Sequence, residues 1–209
     1  MRPGPVTIVY RLVFAALTIT AVAAQFRVTL VDDSSIANFF SYFTNLSNLL
    51  ATVVFTVGAI RVARGAPDTR AWSVVRAGTV VAMVFVGIVF NVLLAGLDVG
   101  ALVPWVNVVV HMLMPVAVLV DWVVWPPERR LPWWAAAVCL VYPVVYSVYS
   151  LVRGAVIGFY PYPFYDPSAV GGVGGVALYL VALVVALAVL ATLVVLVGRR
   201  RRARTARTR

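Results

Sequence analysis

Apolar residues run along this chain in six long stretches, at about 6–26, 37–61, 73–96, 102–125, 132–153 and 174–197, with short polar or arginine-bearing joints between them. Each is close to the roughly 20 residues a helix needs to cross a hydrocarbon layer. None alternates with the two-residue period of a barrel strand, and backbone groups in lipid must be bonded within the protein, so each stretch predicts a transmembrane helix. The expected fold class is all-α: a polytopic membrane protein, a bundle of six transmembrane helices over residues 1–198, followed by a basic tail at 199–209. No internal repeat and no separate soluble domain is visible. The first stretch also has the basic start and the "AVAAQ" of a removable signal peptide. Its apolar length of roughly 20 residues and its interruption by Arg11 favour a retained helix.

The second stretch breaks the pattern. Its segment "FSYFTNLSNLL", residues 40–50, is dense in uncharged polar side chains. Ser41, Thr44, Asn45 and Asn48 follow the i, i+3, i+4, i+7 spacing and would share one helix face, while Phe40, Phe43, Leu46 and Leu50 fall elsewhere. Such a stripe joins helices by hydrogen bonds, or it forms a site. Depth bears on the choice. At 1.5 Å per residue, Thr44 lies roughly 9 Å into its helix, Asn91 and Tyr146 roughly 10 Å into theirs and His111 roughly 12 Å into its own, all from the same side. Four helices thus bring polar groups to one level.

Composition and charge narrow the class. Mean hydropathy is +1.01 and only 11% of residues are charged, too few to clothe a soluble domain of 209 residues. All 17 basic residues are arginine, and 15 of them fall in 1–11, 61–76, 126–131 and 198–209. The other loops hold Arg27 and Arg153 with Asp32, Asp33, Asp98 and Asp166. This asymmetry places both termini in the cytoplasm of a cell-membrane protein. The tail "GRRRRARTARTR" reads as a stop-transfer signal and anionic-lipid anchor, so the net charge of +10 reflects topology and no nucleic-acid partner is expected. Asp121 and Arg11 lie near the cytoplasmic end of their helices, as a mutual pair or at the headgroups.

The remaining chemistry centres on His111, the only histidine. An ionisable group at that depth is costly and reads first as functional. Asn107, one turn earlier on the same face, is placed to orient the ring, and Pro115 removes the usual partner of the His111 carbonyl. Tyr142, Tyr146 and Tyr149 form a second stripe, with packing and ligand holding as alternative roles. One histidine and one cysteine make no metal site, "GGVGG" lacks the lysine of a phosphate loop, and no cofactor is expected. The segment "GFYPYPFYDPSAVGGVGG" cannot form a regular helix. It serves as an interfacial aromatic belt or as a lid in which some of Tyr160, Tyr162, Phe164 or Tyr165 reach over the polar layer.

The segments "YFTNL", "NVVVHMLMP" and "YPF" together resemble the androgen-inducible family of multi-pass membrane threonine hydrolases. The resemblance covers most of the chain in layout and about twenty residues in motif. It implies cleavage of a fatty acyl ester, with Thr44 as nucleophile and His111 as base, Asn107 and Pro115 beside it, and membrane lipids as surroundings. No acidic third member is evident. Asn45, Asn48 and Asn91 are candidate oxyanion donors, and Tyr146 a further support. Two other classes stay open: a small-ligand binding or transport protein built on the same polar layer, and a helix bundle without chemistry. Oligomeric state is not legible.

Overall fold

A computed structural model describes residues 3–94, 96 and 103–205, with side chains through residue 199. Asp98 and the last four residues of the basic tail lie outside the described residues. Among the described residues the chain forms seven helices and no strand. They are α1 (Pro5–Val31), α2 (Ile36–Phe39), α3 (Phe43–Ala63), α4 (Arg70–Leu94), α5 (Pro104–Val124), α6 (Trp134–Ile157) and α7 (Val173–Thr205). Six of them, all but α2, are long and apolar enough to span a bilayer. The chain is a multi-pass membrane protein.

Local signals set the helix ends. Pro5 and Pro104 occupy first-turn positions, where a missing N–H costs nothing. Ser35 and Thr69 accept the N–H groups of Asn38 and Trp72 as N-caps. Gly158, at φ 72°, ends α6 in the left-handed conformation that glycine accepts most readily. The expected continuous helix over 37–61 is instead broken at residues 40–42. Tyr42 is extended there, and Ser41 sits in the turn rather than on the α3 face. The residues at the break include neither proline nor glycine, so local sequence gave no warning; long-range hydrogen bonds hold the turn, as described below.

Helix α4 is the central element, touching α3, α5, α6 and α7. Helices α1 and α3 pack closely: Ala15 and Ala51 share one buried cluster, and a Cβ at Gly58 would come within 2.9 Å of the Arg11 side chain. Close backbone approach of this kind replaces the hydrophobic drive that is missing within lipid. Two wide π-type turns interrupt the spans, at Phe90–Leu94 in α4 and Val109–Leu113 in α5. The second lies where Pro115 cannot supply an N–H to the His111 carbonyl. At Gly87 the two helices almost touch: a Cβ there would come within 3.1 Å of Pro115.

One end of the bundle is locked by charge. Arg11 donates from Nε and Nη2 to Asp121 at 2.7 and 3.1 Å, and Arg76 donates to the same carboxylate at 2.8 Å. The three side chains are 4–8% exposed. Arg76 also donates to the Trp125 carbonyl at 2.7 Å, and that helix C-terminus adds negative potential for the second cation. The triad ties α1, α4 and α5 together. Arg11 and Asp121 therefore pair rather than reach separately to headgroups.

Candidate functional site

At the opposite end, α3 begins without a capping side chain of its own, because its N-cap is Tyr42. Its first N–H groups must still be satisfied, and two phenols from distant segments do this. The Phe43 N–H donates to Tyr146 Oη at 3.1 Å, and Tyr146 passes its own proton to the Ser41 carbonyl at 2.8 Å. The Thr44 N–H donates to Tyr162 Oη at 3.2 Å, and the Thr44 and Tyr162 hydroxyls share a further contact of 3.2 Å. Two more tyrosines extend the zipper along α6: Tyr149 meets Ser41 Oγ at 2.8 Å and Tyr142 meets Ser47 Oγ at 3.2 Å. Tyr142, Tyr146 and Tyr149 thus fasten α6 to the start of α3.

The loop of residues 158–172 folds inward. Tyr162, Phe164 and Tyr165 are each at most 8% exposed. Tyr165 Oη meets Ser147 Oγ at 2.8 Å. Tyr160 lies flat on α6 at Gly154, where any Cβ would overlap its ring. Burial pushes the Tyr162 hydroxyl well above its ordinary pKa, partly offset by its hydrogen bonds to Thr44, so it stays protonated. Tyr165 is raised for the same reason, with Ser147 opposing.

These groups form the polar end of an apolar cavity of about 220 Å³ between α4, α6 and α7. Thr44, Tyr146, Ser147, Tyr162 and Tyr165 supply its hydroxyls; valine, leucine and phenylalanine form nearly all the rest. Val144, Val148 and Val184 on its wall are 44–57% exposed, so the wall between α6 and α7 reaches the outer surface of the bundle. Thr44 sits in the first turn of α3, where the helix dipole favours negative charge. The Asn45 N–H, next in that turn, makes no hydrogen bond among the described residues.

His111 is 6% exposed and lies one ring away from this cavity. Its imidazole stacks on Phe90, with centroids 3.7 Å apart, and Phe90 lines the cavity while His111 does not. Asn107 Oδ1 approaches Nδ1 at 2.6 Å. An amide oxygen only accepts, so Nδ1 carries the proton and Nε2 keeps its lone pair. Nε2 has no hydrogen-bond partner among the described residues. No hydrogen bond joins Thr44 to His111; Asn48 Nδ2 donates to the carbonyls of Thr44 at 2.9 Å and Val110 at 3.2 Å, which ties α3 to the residue before His111.

The three asparagines offered as oxyanion donors have other engagements. Both Asn48 protons are used as described, and its Oδ1 is buried without a partner. Asn45 gives an Nδ2 proton to the Phe39 carbonyl at 2.8 Å, holding α2 against α3. Asn91 is exposed and donates to the Gly87 carbonyl one turn back. The hydroxyl of Tyr162 lies 3.2 Å from that of Thr44. Spacing along the chain could not single out Tyr162, which meets its partner across 118 residues.

Fold and site together define a polytopic membrane protein with an apolar cavity that carries hydroxyl groups at one end. Comparison with family models, curated proteins and solved structures returned no match to this chain.

Proposed function

We propose that the protein is a membrane-embedded hydrolase of fatty acyl esters that draws its substrate sideways from the bilayer. One observation carries the reading: the Thr44 hydroxyl lies at the positive end of α3 and at the polar end of an apolar cavity whose wall reaches the outer surface of the bundle. The acyl chain occupies the apolar part, and its carbonyl meets Thr44. Thr44 Oγ adds to the carbonyl carbon as its proton passes to His111 Nε2, a transfer for which the Phe90 ring between His111 and the cavity must swing aside; Asn107 keeps the imidazole in the accepting tautomer. Tyr162 Oη and the Asn45 N–H donate to the oxyanion. The C–O bond then breaks, the alcohol leaves with the proton from His111, and water with His111 as base releases the acid from Thr44. In the resting protein Tyr162 holds the Thr44 hydroxyl; an arriving ester takes over that contact. The arginine-rich end is cytoplasmic, with both termini, and the Thr44 end lies in the outer half of the cell membrane.

A second reading is a lipid-binding protein without chemistry. It is favoured by the engagement of Thr44 with Tyr162 and by the place of His111 behind Phe90. A fluorophosphonate probe and a long-chain fatty acyl ester separate the two. Hydrolysis predicts covalent labelling at Thr44 and turnover, both lost in Thr44→Ala and partly kept in Thr44→Ser. Loss of the base in His111→Ala should lower the rate by roughly 10²–10⁴-fold with the fold intact. Turnover unchanged in Thr44→Ala rules out the threonine mechanism; ester binding with neither turnover nor labelling favours the second reading.

A further inference from the structure

We propose that the stacked rings of Phe43 and Tyr142 set how far an acyl chain can run inward along the seam between α4 and α6, an inference that rests on the acyl-ester reading above. Two apolar spaces follow one seam between α4 and α6. The first is the Thr44 cavity, whose lining begins at Phe85 on α4 and Pro143 on α6 and continues toward the tyrosine end. The second is a cleft of about 190 Å³ lower on the same helices, lined by Val74, Gly78 and Thr79 on α4 and by Val138, Cys139 and Tyr142 on α6. Phe43 lines the upper space and Tyr142 the lower. Their rings stack at 5.0 Å and 22°, so this pair is the partition between the two.

Both rings of the partition have holding contacts. Tyr142 is held by its hydroxyl contact with Ser47 at 3.2 Å. Phe43 packs edge-on against Phe85 at 6.4 Å and at a tilt against Tyr146 at 4.9 Å. A chain whose carbonyl lies at Thr44 starts beside the Phe43 ring, the adjoining residue. It must turn out toward lipid between α6 and α7 or stop at the ring. Without the ring, the seam continues into the lower cleft, whose walls are apolar. At Gly78 a Cβ would meet nothing within 4 Å, so a larger side chain there would fill the cleft without a clash at its Cβ.

The test uses the full chain in detergent and a series of fatty acyl esters of one fluorogenic alcohol, from medium to very long chain. Turnover is read together with displacement of a bound fluorescent fatty ester. Phe43→Ala should move the preference toward longer chains, raising the rate for the longest esters relative to the medium ones about tenfold, the equivalent of about 1.4 kcal/mol. Adding Gly78→Leu to Phe43→Ala should reverse the shift. Tyr142→Leu opens the partition from the other side and carries the same expectation if Phe43→Ala does not fold. An unchanged chain-length profile in folded variants, with the wild type active, overturns the partition and leaves the acyl-ester reading standing. A wild type that neither hydrolyses nor binds any ester of the series removes that reading, and the partition with it.

Discussion

Replacing Asp121 by asparagine should destabilise the protein severely although it removes no volume. The carboxylate accepts three hydrogen bonds from Arg11 and Arg76, at 2.7 to 3.1 Å, in a site where all three side chains are at most 8% exposed. Asparagine leaves two guanidinium groups buried with no anion. Breaking a buried pair from one side costs about 3–5 kcal/mol. For a chain of this length, at about 2–4 °C per kcal/mol, the melting temperature should fall by about 6–20 °C. The lone thiol supplies the assay. Cys139 is 3% exposed, so a thiol-reactive dye reports its release as the protein unfolds in detergent. Replacing all three residues together (Arg11→Met, Arg76→Met, Asp121→Leu) removes charge and desolvation penalty at once, and should cost much less than Asp121→Asn alone. An Asp121→Asn melting point within about 2 °C of wild type, below 1 kcal/mol on the same scale, would refute the charge argument.

Other outcomes follow from the site end of the bundle. Tyr162→Phe strips the partner from a buried N–H at Thr44 and should cost about 1–3 kcal/mol in the same thermal assay. Asn107→Leu releases the His111 tautomer and should lower ester turnover more than it lowers ester binding, measured side by side. Gly154→Ala drives the Tyr160 ring off α6 and should make the 158–172 loop more susceptible to limited proteolysis, with the wild type resistant. Burial raises Tyr162 and Tyr165 above the ordinary phenol value of 10.0. Their stabilising contribution is complete below pH 10 and is lost as pH rises toward their folded values, so melting temperature should fall above pH 10. A melting temperature that does not change there would contradict this.

The six spans were legible because hydropathy and helix length are local, cumulative signals. Expected stretches such as 73–96 and 132–153 agree within a few residues with Arg70–Leu94 and Trp134–Ile157. The break at 40–42 was not, since the groups that hold it, Tyr146 and Tyr149, lie more than 100 residues away. Arg76 falls among the arginines that set the topology, yet its place just inside the third stretch is the one local sign that it faces a buried carboxylate. The polar residues of the second helix were visible, but spacing could not foresee that Thr44 would turn to Tyr162. Nor could it show that a phenylalanine ring lies between His111 and the cavity. Face and depth are readable from periodicity, whereas side-chain pairing across a bundle depends on rotations and tilts that no single segment encodes.

The tyrosine caps of α3 carry a consequence for the order in which the protein is made. Helix α3 leaves the ribosome and enters the membrane well before Tyr146 and Tyr162 exist. Through that interval its first N–H groups and its polar face must be served by water, by lipid headgroups or by insertion machinery. The Thr44 end therefore closes late, when α6 and the following loop arrive. Until then α3 resembles an unfinished helix, and a chain stalled before residue 162 would hold Thr44 with its cap still missing. Nascent chains of increasing length, probed for access to an engineered thiol beside Thr44, should show protection appearing only once that loop has emerged.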